Sequence, residues 1–236
     1  MAANAIGAAV IIEIARSEGG TNAYCGINFL NISRVVDAIC NELWIMIPVA
    51  VHADHFGIKH LNQIPQAKIE IPSLFNSGIT SIAIDASHLP DDENLITNIE
   101  LAPFILEWAG FETEIGEIKG TIGMSTPEEA LFLISGLNAR GIFPDFLASN
   151  NGSKHGIEKS ALGINVNLTA EILFALESFL ISGAQHGTSG NDSNRLRSIA
   201  ATLTPPRQML QQLFRWFPGV SKLTILATVF LKTTCL

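Results

Sequence analysis

The chain has 236 residues, of which 47% are apolar and 15% charged, which suits one sizeable core and argues against disorder. A formal charge of −8, from 22 acidic and 14 basic residues with no basic cluster, excludes a nucleic-acid surface that must displace phosphate counterions. Three widely spaced cysteines (Cys25, Cys40, Cys235) form no CxxC and predict a reducing, cytoplasmic setting without a disulfide framework.

Residues 1–12 are apolar but lack a preceding Lys or Arg, and Glu13 and Arg16 interrupt them at once, so neither a signal peptide nor an anchor is expected. Strand-like runs then follow at 9–15, 47–53, 80–86, 111–117, 145–150 and 178–184. Between them lie segments with helical period. Residues 30–43 place Leu30, Val35, Ile39 and Leu43 on one face. Ser125-Thr126-Pro127-Glu128-Glu129 is a cap, a first-turn Pro and two acids before ALFLISGLNA. A third helix is predicted over 168–178. The apolar run LTILATVFL (223–231) is nine residues, against about 20 for a membrane helix, and reads as a buried seventh strand over 223–230 or an unsatisfied piece of core. No membrane partner is expected.

Strand–helix alternation predicts parallel βα units with right-handed crossovers. Polar residues recur at strand C-terminal ends: Asp54, Asp85, Glu114, Asn150 with Asn151, and His186, spaced by 29–36 residues, about one βα unit. A closed barrel gathers all such ends on one rim, whereas a doubly wound sheet offers one switch point. The prediction is an α/β fold of the TIM (β/α)8 type, a single domain over 1–236. It is incomplete at both ends, and 204–236 are atypical in pattern.

Three segments carry chemistry-bearing residues. In His52-Ala53-Asp54-His55-Phe56-Gly57, period two puts His52 and Asp54 on one face, and a strand end can turn both Asp54 and His55 into a rim pocket. Asn150 to Gly156 and Gln185 to Asn191 each place His-Gly after a strand, where Gly permits close approach, and HGTSG followed by Asn-Asp-Ser suits an anion-binding loop leading into a helix. His55, His155 and His186 would bring three imidazoles to one rim, the ligand number of an open catalytic zinc site. Asp85 and Glu114 are placed as outer groups or a second metal position. His52 is expected to pack within its strand, His60 to lie on the surface, and His88 to steady a turn. Glu13, Arg16 and Glu18 are expected to close the first strand, with a rim salt bridge favoured over a reach into the pocket.

HADHFG, IDASHLPDDEN, ETEIGEI, NGSKHG and QHGTSG resemble, in order and spacing over about residues 9–200, the class II (zinc-dependent) ketose-bisphosphate aldolases. The resemblance implies that His55, His155 and His186 hold zinc, and that Asp54 exchanges a proton with the aldehyde oxygen. It further implies that Asp85 and Glu114 serve an alternate or second position for a divalent or monovalent cation. Gly156, Gly187 and Ser189 match phosphate-cradling positions, and Lys159 a basic residue of the first loop. The reaction implied is reversible aldol cleavage of a phosphorylated ketose to dihydroxyacetone phosphate and an aldehyde, a step of carbohydrate metabolism such as glycolysis.

Three departures accompany it. Residues 1–8 are too short for the family's first strand–helix unit. The loop after the fifth family strand is compressed to 117–125, where Glu117 is the candidate acid. No KINxxTD-like strand follows Gly190, and GINVN (163–167) belongs to the preceding unit. A catalytically impaired metal-binding barrel is therefore the rival expectation. A Schiff-base aldolase using Lys119 or Lys154, or a zinc hydrolase, is a further alternative. Uncovered strand edges predict a homo-oligomer.

Overall fold

In a computed structural model of the chain, the described residues are 1–19, 26–117, 123–153, 163–188, 191–203 and the backbone of 230–232. Seven strands occur among them: β1 (Val10–Ala15), β2 (Val49–Gly57), β3 (Ser81–Asp85), β4 (Gly110–Ile115), β5 (Phe146–Ser149), β6 (Ser182–Ala184) and β7 (Phe230–Lys232). The helices are α1 (Ala2–Ile6), α2 (Ile32–Glu42), α3 (Ile64–Asn76), α4 (Asp91–Leu101), α5 (Pro127–Asn138), α6 (Val166–Ala175) and α7 (Ser193–Leu203).

The strands form one sheet in the order β6-β5-β4-β3-β2-β1-β7, and every pairing is parallel. From β1 to β6 each strand lies beside its sequence neighbours. Over these six strands the order never reverses, unlike a doubly wound sheet, and β7 adds beside β1 at the edge opposite β6. It is the wall of an incomplete TIM-type barrel, with β6 and β7 at its two ends.

Alternation along the strands separates two faces. Val51, Ala53, Ile82, Ile84 and Phe111 join the buried cluster that contains Ile71, Leu74 and Phe75 of α3. Ile115 and Leu147 pack with Leu133, Ile134 and Leu137 of α5 and Ile172 of α6. Each such Ile, Leu or Phe contributes about 1.5–3 kcal/mol on burial. The opposite face carries His52, Asp54, Ser81, Asp85, Glu112 and Glu114, all buried. Polar side chains therefore line the barrel interior while the apolar ones hold the helices on.

Local signals explain the helix starts. Thr126 caps α5 by accepting from the Glu129 N–H at 3.2 Å, and Glu129 returns a carboxylate to the Thr126 N–H at 2.8 Å. The helix predicted from residue 168 starts instead at Val166, because Asn165 accepts from the Leu168 N–H at 3.1 Å and caps α6 earlier. A short helix, α1, precedes β1. Two other expectations are corrected. The run 178–184 is strand only from Ser182, since Glu177–Phe179 form a 3-10 turn closed by Leu180 in the left-handed region at φ 54°. Helix α2 forms where predicted, but Leu30, Ile39 and Leu43 are 53%, 51% and 44% exposed; Ile32 and Val36 face the core instead. Hydrophobic spacing identified the helix but not its buried side.

Candidate metal centre

The site begins with a bulge in β2. Ala53 pairs with Ile82 and Phe56 with Ile84, so three steps on β2 match two on β3. His55 absorbs the extra residue at φ 47°, a conformation that costs a side chain of this size about 1–2 kcal/mol. Ala53 and Phe56 both stay on the helix side, and Asp54 and His55 both turn inward. The strand does not end there, as expected, but continues to Gly57. The strained residue makes adjacent side chains share one face, which regular alternation forbids.

His55 is surrounded by carboxylates. Its Nδ1 lies 3.0 Å from Glu114 Oε1 and 3.3 Å from Asp85 Oδ2, and its Nε2 lies 3.7 Å from Asp54 Oδ2. The His186 ring, just beyond β6, sits 4.5 Å from the His55 ring, centroid to centroid. Asp54, His55, Glu114 and His186 each offer one ligand atom within 4.8 Å of the others. Asp85 is held alongside by Ser87, whose N–H and hydroxyl donate to its Oδ1 at 3.1 and 2.6 Å. Helix α4 fixes β4 here: Asn94 donates to the Glu114 carbonyl at 2.8 Å, and Thr113 donates to Asn98 at 2.9 Å.

The electrostatics describe a cluster short of positive charge. Burial pushes Glu114 up, and the Asp85 charge adds to it, so that its pKa reaches about 7 despite His55. Glu112 is raised to about 8 by burial and then by Asp54, and Glu13 to about 8 by the same two causes. Burial disfavours charge on His55, but Glu114, Asp85 and Asp54 overcome it and raise its pKa to about 12. Burial also opposes charge on Asp85, yet hydrogen bonds from His55 and Ser87 hold it well below the usual carboxylate range. Oε2 of Glu114 is buried and accepts no hydrogen bond among the described residues. A buried carboxylate oxygen without a donor, facing two imidazoles and a second carboxylate, is a donor set that fits a divalent cation of the zinc type.

Three further residues belong to this interior. Glu112 shares a face with Glu114 by period two, a signal present in ETE, and its Oε1 is 3.5 Å from His186 Nε2. His52 packs within β2 as expected, and its ring nitrogens lie 2.8 Å from Ser81 Oγ and 3.5 Å from Glu112 Oε2. Glu13, expected in a rim salt bridge, is the register partner of His52 and feels the charges of Asp54, His186 and Glu112. Arg16 does make such a bridge, to Glu70 at 2.7 Å.

Asn150 and Asn151 directly follow β5, as expected, and are buried. Asn151 donates to Thr169 at 2.7 Å and to Gln185 at 2.6 Å, tying the β5 loop to the residue before His186. Gly187 adopts φ 67°, so a substituent there would be strained. His60 is exposed, and His88 pairs with Glu117 at 3.2 Å. His155, Gly156, Lys159 and Ser189 lie outside the described residues, as do Lys119, Lys154, Cys25, Cys235 and 223–229. Cys40 is a free thiol. No helix among the described residues is long and apolar enough to cross a membrane.

Known proteins resemble this chain in both sequence and fold. The family model "Fructose-bisphosphate aldolase class-II" matches residues 1–203. A fructose-bisphosphate aldolase of Staphylococcus aureus is 32% identical over 149 residues, 59% of this chain and 46% of the relative. One from Staphylococcus epidermidis is 31% identical over 153 residues, with the same coverage of each chain. The chain spans about half the length of the curated relatives it matches. The crystal structure of the YdjI aldolase from Escherichia coli K12 superposes with a TM-score of 0.61 at 20% identity, covering 86% of this chain and 66% of that one. With the family model spanning most of its length, the chain belongs to the class-II fructose-bisphosphate aldolase family.

Proposed function

We propose that this chain performs metal-dependent aldol cleavage and condensation of a phosphorylated ketose, with Asp54 as the proton-exchanging group. The observation that carries the reading is the β2 bulge, which presents Asp54 and His55 side by side toward Glu114 and His186. In this reading His55 and His186, with His155, hold zinc, and Asp85 and Glu114 serve an alternate position for the same ion or a place for a monovalent cation. When bound, zinc supplies Lewis acidity toward the ketose carbonyl.

The protein's own residues divide the remaining work. Asp54 is buried to 4% exposure, so a proton on its carboxyl goes to substrate rather than bulk water. His55 and Glu114 fix where the carbonyl end must sit. Gly187, with its positive φ and no side chain, leaves room for a phosphate near backbone N–H groups. Gly156, Ser189 and Lys159 complete the phosphate cradle in this reading. The cytoplasm and carbohydrate breakdown are the matching setting, with a homo-oligomer covering the strand edges.

A second reading, a metal-binding barrel wall with feeble catalysis, is favoured by the sheet's end strands β6 and β7, which among the described residues are not paired with each other. Phosphate contacts remote from the reacting carbon orient the substrate, and their loss lowers turnover. Metal analysis combined with cleavage assays on a panel of ketose phosphates tests both. Bound zinc with triose phosphate released supports the first reading. Bound zinc with no cleavage supports the second, and absence of bound metal contradicts both.

A further inference from the structure

We propose that His52, Asp54 and Glu112 form a second divalent-cation site, one layer deeper in the barrel wall than the His55–Glu114–His186 centre. Each of the three offers a ligand atom within 4.8 Å of the other two, and all three are buried. The position differs from the one between Asp85 and Glu114, and it does not depend on the aldolase reading.

Strand geometry produces it. His52 precedes Asp54 by two residues on β2, and Glu112 precedes Glu114 by two on β4, so both pairs face the interior. The inward face thus repeats its polar pattern one step down, about 6–7 Å along the strands. Apolar side chains normally fill this layer of a barrel. Here Ser81 lies beside His52, with Oγ 2.8 Å from Nδ1. With the ring hydrogen on Nδ1 donated to Ser81, the lone pair of His52 resides on Nε2, as in metal-ligating imidazoles.

That Nε2 is buried, makes no hydrogen bond among the described residues, and lies 3.5 Å from Glu112 Oε2. The separation is too long for a direct hydrogen bond. Oε1 of Glu112 is likewise buried without a hydrogen bond. Among the described residues Glu112 pairs with no Lys or Arg; its ion-pair neighbours are His52 and His186. One imidazole and two carboxylates around a shared gap suit zinc or manganese. Glu13, the register partner of His52, adds a third carboxylate nearby.

The test is zinc titration of the metal-stripped full chain by equilibrium dialysis, beside His52→Gln, Glu112→Gln and His186→Ala. Two equivalents are expected in the unaltered chain, one of them lost in His52→Gln and in Glu112→Gln. His186→Ala should lose the other and keep the deep one. Two equivalents persisting in both deep variants overturn the site, as does a single equivalent that His186→Ala removes and His52→Gln keeps. A single equivalent lost in His52→Gln and kept in His186→Ala upholds the deep site and counts against the upper centre. Should a variant not fold, crystals of the unaltered chain soaked in manganese read the same question by anomalous scattering. A peak between His52 and Glu112 is expected, and a peak confined to His55 and His186 refutes it.

Discussion

His55 Nδ1 lies 3.0 Å from Glu114 Oε1, although the two residues come from strands that are not neighbours in the sheet. The contact spans β3 across the concave side of the wall, which requires the sheet to curl. It also ties the bulge on β2 to the polar face of β4. Curl and bulge together turn separate strand endings into one centre.

Asp54→Ala should lower cleavage about 100-fold or more, the usual scale for a positioned acid or base. The zinc of the His55–His186 centre should remain. Steady-state rates with metal content measured on the same samples check this. Unchanged turnover would remove Asp54 from proton transfer.

His186→Ala should abolish stoichiometric zinc at the upper centre, because only His55 and His155 of its three imidazoles then remain to hold the ion against a competing buffer. Cobalt substitution gives the readout. The visible absorption of a low-symmetry cobalt centre should disappear from the variant, and its survival would mean that His186 is not a ligand.

The metal-free chain should lose stability as pH rises. Glu112 has its pKa raised from 4.5 to about 8 in the folded state. Its contribution is therefore fully present below about pH 4.5 and lost as pH climbs through about 8. His55, raised to about 12, acts in the same direction above its unfolded value of 6.5. His52, lowered to about 4 chiefly by burial, acts oppositely: its share is lost as pH falls from 6.5 through 4. Urea unfolding between pH 5 and 8 should show a decline on the order of a few kcal/mol, flattened in Glu112→Gln. An identical slope in that variant would show that Glu112 is not the group responsible.

Gly116 follows the ETEI strand at φ 66°, and a Cβ there would lie 2.4 Å from the Ser125 hydroxyl. That hydroxyl donates to the Ile115 carbonyl at 3.0 Å and accepts from the Asn150 N–H at 2.9 Å. Gly116→Ala should cost about 1–3 kcal/mol in thermal or urea unfolding, combining αL strain with displacement of Ser125. A loss below a few tenths would show that the turn relaxes freely.

The positions of Asp85, Glu114 and His186 at or near strand ends are legible because period and βα spacing are local properties of sequence, whereas Asp54 lies within β2, which runs on to Gly57. Which side chains meet inside was only partly legible. Glu112 shares its face with Glu114 in any strand, yet its closeness to His186 depends on the curl linking β4 to β6. The inward turn of His55 depends on a φ of 47° that no residue type at that position announces. Helix α2 shows the reverse failure: its apolar spacing was real, but spacing alone does not say which neighbours exist to cover Ile39 and Leu43.

The central claim is a metal-dependent aldol reaction at the Asp54–His55–Glu114–His186 centre. Its most direct test is ketose bisphosphate cleavage by the zinc-loaded chain, measured before chelation, after chelation, and after zinc is restored, with a parallel borohydride quench. The account predicts cleavage that chelation abolishes and zinc recovers, with no protein adduct trapped. Cleavage that survives chelation, or a borohydride-stable adduct on a lysine, would contradict it.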